Sequence, residues 1–151
     1  ALIDRGETDR VVGTVTEAIA AGATAVVGGG VADGLLAPTV LSGVTPDMAV
    51  SRTEVFGPVV GVASYSDVND AFAWANDSRY GLQAGIFTND LSLGLDAAHR
   101  LDYGGVCINE VPTFRTDQMP YGGIRDSGNT KEGPAWAGRE MTEERMVVIT
   151  R

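Results

Sequence analysis

Two short stretches carry side chains with the chemistry to hold a ligand. The first is Glu54-Val55-Phe56-Gly57-Pro58, an acid two residues ahead of an aromatic ring at a Gly-Pro turn. An ionised carboxylate accepts hydrogen bonds from both hydroxyls of a ribose, and a nearby ring lies against a flat heterocycle. The same five residues also describe a surface acid and a core Phe at a turn. The second stretch, residues 109–123, begins at Asn109 and holds Phe114, Arg115, Asp117 and Tyr121. Arg115 offers a planar fork of donors that grips a carboxylate or phosphate through paired bonds, and the same fork suits an internal salt bridge.

Other tempting residues fail on chemistry. Cys107 sits in the apolar run Val106-Cys107-Ile108, with no base or helix N-terminus beside it to make a thiolate, so it reads as a buried structural cysteine. His99 is the only histidine and lies late in an expected helix, where a cation meets the favourable end of the dipole. Gly28-Gly29-Gly30 is followed by Gly34 one residue too late for a dinucleotide loop, and Leu35-Leu36-Ala37-Pro38 cannot open a helix. A phosphate loop at Gly123 to Thr130 fails because Asn129 stands where the lysine must be. One His and one Cys cannot close a four-ligand zinc centre, so no metal is expected.

The elements that must position the two stretches follow from periodicity. Val11, Val12, Val15 and Ile19 predict a helix over 9–21 that stops at Gly22. Strands are expected at 24–27 and 39–41. The middle of the chain reads strand 59–63, a helix capped by Asp67 with Val68, Ala71, Phe72 and Ala75 on one face, then strand 84–87. A helix capped by Asn89 or Asp90 follows, with Leu91, Leu95, Ala98 and Leu101 inward, then strand 106–108. Strands alternating with helices across short links predict an α/β fold, a parallel sheet with flanking helices. Ligands sit beyond the carboxyl ends of such strands, and only the last strand runs into a long Gly-rich loop, residues 112–133. Pro134 opens a short helix to about residue 141, and residues 146–150 form a β-rich terminal run.

Composition narrows the function classes. The chain has 151 residues, enough for a real core, and a net charge of −9 that opposes a nucleic-acid backbone or an anionic membrane. No apolar run approaches the roughly 18 residues of a membrane span. A single cysteine fits a reducing cytoplasm. Glycine stands at 20 residues, well above ordinary usage and clustered, which suggests tight turns or backbone held close to a ligand.

Taken in order, these pieces resemble the NAD(P)-dependent aldehyde dehydrogenase superfamily. The resemblance covers essentially the whole chain. It runs through Leu2-Ile3-Asp4, Gly22-Ala23, Gly28-Gly29 and Pro38-Thr39-Val40-Leu41 to Glu54-Val55-Phe56-Gly57-Pro58-Val59, the most diagnostic stretch. Ala75-Asn76, Tyr80-Gly81-Leu82, Phe87-Thr88, Gly105-Val106, Ile108-Asn109, Pro120-Tyr121-Gly122-Gly123 and Ser127-Gly128 complete it. It departs from the family at Thr53, where a second acid is usual, and at Thr130-Lys131, where Gly and Arg are common.

The resemblance is to the C-terminal third of such an enzyme. It implies that residues 1–144 are the distal part of the catalytic domain and that 145–151 are an oligomerisation strand. It places the nucleophilic cysteine, the general-base glutamate and the main dinucleotide-binding domain upstream, so that this chain alone is inactive. In the complete enzyme a cysteine attacks the aldehyde, hydride passes to NAD or NADP, and water releases the acid. Carried over by position, Glu54 binds the nicotinamide ribose and Phe56 packs near the nicotinamide. Asn109 follows the strand beside the active site, and Tyr121 lines the aldehyde entrance. The run from Asn109 to Arg115 is similar to lactaldehyde and non-phosphorylating glyceraldehyde-3-phosphate dehydrogenases. That implies a small polar or anionic aldehyde as substrate, with Phe114 and Arg115 beside it and Arg115 as the anion partner, in a cytoplasmic homodimer or homotetramer. The competing reading is a stand-alone, non-catalytic α/β module for assembly or nucleotide binding.

Overall fold

A computed structural model describes residues 2–151, which form two compact units divided between Val68 and Asn69. The first opens with helix α1, Arg5–Ala20. It starts four residues before the periodicity suggests, because the Asp4 carboxylate caps it by accepting the Glu7 N–H at 2.9 Å. Asp-x-x-Glu is a helix-start signal, although here Glu7 turns to Arg10 instead of closing the box. At the other end Ala23 N–H donates to Ala18 O and Gly22 N–H to Ile19 O, the two bonds of a Schellman stop, with Gly22 at φ +110°. The buried face is Val11, Val15 and Ala18; Ile19, expected inward, is exposed.

Strands β1 (Thr24–Val27), β4 (Thr39–Ser42) and β5 (Val59–Val62) form one sheet in the order β1-β4-β5. The β1–β4 pair is antiparallel with a register irregularity between Ala25 and Val27, and β4–β5 is parallel from Thr39↔Val59 to Ser42↔Val62. Between β1 and β4 lies a hairpin of β2 (Val31–Ala32) and β3 (Leu35–Leu36), turned by Asp33-Gly34 with both residues at positive φ. That geometry is the hairpin turn favoured by Asp-Gly. Helix α2, Ala49–Arg52, leads from the sheet to the loop before β5. Val15, Ala18, Ala23, Leu41, Val44 and Met48 make the core of this unit.

The second unit contains all but the first residue of helix α3 (Val68–Asn76), then strand β6 (Gln83–Ile86), helix α4 (Leu91–Arg100), strand β7 (Gly105–Ile108) and helix α5 (Pro134–Glu140). Strands β6 and β7 pair in parallel through Gln83↔Gly105 to Ile86↔Ile108, with α4 as the crossover. The parallel sheet with flanking helices is therefore present as two parallel pairs, β4–β5 in the first unit and β6–β7 in the second. Asp90 caps α4 by accepting Ser92 and Leu93 N–H. The inward face of α4 differs from the leucine stripe: Gly94, Ala97 and Leu101 are buried, whereas Leu91, Leu95 and Ala98 are exposed. A Cβ at Gly94 would stand 3.2 Å from the Ile108 side chain, so small residues let α4 approach β7 and the large ones turn aside. Residues 142–151 form no strand ladder among the described residues, and Met146, Val147, Val148 and Ile149 are exposed.

Candidate functional site

The expected site residues fall in two groups, one in each unit. In the first, Glu54 and Phe56 lie on the loop between α2 and β5. Both are exposed, and Phe56 is 76% accessible despite its size. Its backbone is left-handed, φ +50°, a costly conformation for a bulky residue. The neighbours on both sides over-determine it. Arg10, aligned by Glu7, donates from Nη2 to Val55 O at 2.8 Å. Gly57 lies against the fully buried Val11, where an added Cβ would stand 3.0 Å from a methyl carbon. Pro58 O then accepts the Thr39 N–H at 2.8 Å, joining the loop to the sheet. The chain thus holds an aromatic face out to solvent by fixing the residues around it. A cleft of about 570 Å³ opens here, lined by Leu2, Ile3, Glu7, Phe56, Gly57 and Pro58. Sequence reasoning assigned a site role to Phe56 in its Gly-Pro turn but none to Leu2, Ile3 or Glu7, which the start of α1 brings to the loop.

In the second unit, Asn109 follows β7 at φ +57°, a left-handed conformation that Asn tolerates. Its N–H donates to Ile86 O at 2.7 Å and its Oδ1 accepts the Thr88 N–H at 2.8 Å, so it joins the carboxyl ends of both strands. Phe114 is tethered from β6, with Gln83 Nε2 donating to its carbonyl at 3.1 Å. Asn109 and Phe114 line one cleft of about 560 Å³ with Gln83, Cys107, Thr116 and Met119. Cys107 is half-buried on this wall, with Gln83 Nε2 at 3.3 Å from its Sγ, and is not the enclosed core residue its apolar run suggests. All four residues of β7 are part-buried or exposed in a two-stranded pair with β6, which an apolar run cannot reveal.

Arg115 lines a different cleft, about 710 Å³, with Asp117, Lys131, Glu132, Glu140 and Met141 among its walls. Its guanidinium lies 4.8 Å from the Tyr121 ring centroid and pairs through Nη2 with Glu132. The internal salt bridge is present, and the Arg115 side chain remains half exposed. Tyr121 is held by an isolated antiparallel bridge to Glu132, whose N–H donates to Tyr121 O at 2.6 Å. The strands of this bridge can approach because of Gly122, where a Cβ would fall 2.1 Å from Thr130 O. Glu132 carried no signal in the sequence, because its partner lies 17 residues away across an irregular loop.

Among the described residues no cluster of three or more His, Cys, Asp and Glu could hold a metal ion, and no helix is long and apolar enough to cross a membrane.

Comparison with known proteins places this geometry. The model of the Aldehyde dehydrogenase family matches residues 1–147. A 3-sulfolactaldehyde dehydrogenase of Priestia aryabhattai is 47% identical over 143 residues, 95% of this chain and 30% of that protein. A lactaldehyde dehydrogenase of Methanococcus vannielii is 44% identical over 89% of this chain and 29% of its own length. The crystal structure of a glyceraldehyde-3-phosphate dehydrogenase from Methanocaldococcus jannaschii complexed with NADP superposes with a TM-score of 0.87 at 37% identity, covering 93% of this chain and 30% of that one. The chain therefore spans about 30% of the length of the curated relatives it matches. With the family model covering nearly every residue, and with the Glu54–Pro58 turn and the β7 loop folded as described, the chain belongs to the aldehyde dehydrogenase family.

Proposed function

We propose that this chain forms the nicotinamide-facing and aldehyde-facing part of an enzyme that oxidises a small polar or anionic aldehyde to its carboxylic acid. The observation that carries the reading is the fixed turn presenting Phe56 two residues after an exposed carboxylate. That pair of side chains fits the nicotinamide end of NAD or NADP: Glu54 would accept from the ribose hydroxyls, and Phe56 would offer a flat apolar face. When bound, the nicotinamide supplies the hydride acceptor. Asn109, Phe114 and Tyr121 would line the aldehyde site, and the half-exposed Arg115 would meet an anionic substituent on the substrate. The names of the relatives support a polar or charged small aldehyde, since one acts on sulfolactaldehyde and another on lactaldehyde.

In this reading the nucleophilic cysteine lies elsewhere in the complete enzyme, and the 151 residues alone are inactive. Cys107 lies on a strand with the Gln83 amide against its Sγ, and an amide is no base to activate a thiol. Residues 1–144 then form the distal part of the catalytic domain. Residues 145–151 pair with a sheet edge of another subunit in a homodimer or homotetramer, which gives the exposed Met146 to Ile149 run its ladder. The lone cysteine suits the cytoplasm.

The experiment is Glu54→Ala in the complete enzyme. Loss of two hydrogen bonds to a charged acceptor should weaken binding of the nicotinamide cofactor by about 10- to 100-fold. An unchanged cofactor dissociation constant would remove the ribose role and with it the main support for the reading.

A further inference from the structure

We infer that Glu132 is the positioning residue that sets the anion-binding arginine, an inference resting on the reading of Arg115 above. An Arg side chain half exposed on an irregular loop has many rotamers, and an anion that binds it must first order it. Here two contacts have already done so. Tyr121 lies under the guanidinium face at 4.8 Å, and Glu132 Oε2 takes one edge through Nη2 at 2.5 Å. These two supports are not independent, because the Glu132 N–H bonds to the Tyr121 carbonyl and the bridge fixes both residues in one frame. The Nε and Nη1 donors of Arg115 have no partner among the described residues, on a side chain that lines the 710 Å³ cleft. Glu132 therefore holds one corner of the fork and leaves donors for a carboxylate, sulfonate or phosphate on the aldehyde.

Glu132 could instead act by repelling an anionic substrate. Its carboxylate is more than half exposed and already matched to Arg115, so solvent and its partner screen its charge, and orientation is the larger effect.

The test uses the complete enzyme and one ratio: kcat/KM for a sulfonate-bearing aldehyde over kcat/KM for a neutral aldehyde of the same carbon number. Any uniform loss of activity or of folded protein cancels in this ratio. Arg115→Ala should lower it by about 100-fold and Glu132→Ala by about 10-fold, while Glu132→Gln, which keeps an acceptor oxygen, should stay within about 3-fold of the parent. In an Arg115→Ala background, Glu132→Ala should change the ratio by less than about 2-fold, because its route through Arg115 is gone. If Arg115→Ala leaves the ratio unchanged, the anion reading itself fails. If Arg115→Ala lowers it and Glu132→Ala leaves it unchanged or raises it, only the positioning role fails. An equal fall in both backgrounds also overturns it. Should Glu132→Ala not fold, Glu132→Asp, with its carboxylate withdrawn by one methylene, provides the same comparison.

Discussion

Arg125 offers the sharpest test of how the loop that carries Tyr121 is anchored. It opens a single 3-10 turn, Arg125–Ser127, at φ +56°, and its guanidinium collects carbonyls from three places. Nη1 donates to Asn76 O at 2.8 Å and also to Ser78 O, while Nη2 donates to Asp102 O. Asn76 is the last residue of α3, so its carbonyl is one that the helix end leaves open, while Ser78 and Asp102 lie just beyond the ends of α3 and α4. Three charge-assisted bonds at about 1–2 kcal/mol each, discounted for partial rehydration, put Arg125→Ala at about 2–4 kcal/mol less stable. Arg125→Lys keeps the charge but loses the fork, and should cost about half as much. The ion pair to Asp102 spans 3.6 Å to a carboxylate 72% exposed, so Asp102→Asn should cost under about 0.5 kcal/mol. Arg125→Gly loses the same bonds as the Ala variant but relieves the left-handed backbone, and should be about 1 kcal/mol more stable than it. Urea unfolding followed by tryptophan fluorescence reads this directly, because Trp74 and Trp136 both lie in the second unit. An Arg125→Ala midpoint within error of the parent, or a Gly variant less stable than the Ala variant, would refute the reasoning.

Two further outcomes are expected. Burial raises the Tyr103 pKa above its usual value, so above about pH 10 the unfolded chain releases this proton before the folded one does, and stability must fall as pH rises through that window. Tyr103→Phe should flatten this alkaline slope while costing about 1 kcal/mol at neutral pH for the lost bond to Ala75 O; a slope equally steep in both proteins would assign it to other groups. Gly57→Ala should destabilise the first unit by about 1–3 kcal/mol by pressing on Val11, and adding Val11→Ala should recover part of that cost, as measured by hydrogen exchange in α1. Strict additivity of the two substitutions would show that the contact is not the cause.

Elements with a local cause were legible in the sequence. Strands β1, β5, β6 and β7 lie within a residue or so of their expected places, Asp90 caps α4, and Pro134 opens α5, because β-rich runs, caps and prolines act over a few residues. The hairpin at Asp33-Gly34 was equally local, and its dipeptide signal was available. What escaped depends on partners far along the chain. The inward face of α4 is chosen by how closely Ile108 approaches Gly94, not by where the leucines fall. Phe56 at positive φ follows from Arg10, 45 residues before Val55. In the site, residue types and order pointed to both loops, yet the division of Phe114 and Arg115 between two clefts, and the place of Glu132, emerge only from the Tyr121 bridge.

The terminal run from Met146 to Ile149 has a consequence for handling the protein. A short, uncharged segment rich in β-branched residues, exposed and outside any ladder among the described residues, is a template that any available strand edge can extend. The charges beside it, Glu143, Glu144 and Arg145 before and Arg151 after, act as gatekeepers that make stacking of like segments costly at low salt. Raising ionic strength weakens that protection, so the colloidal behaviour of the protein is governed by salt as much as by concentration.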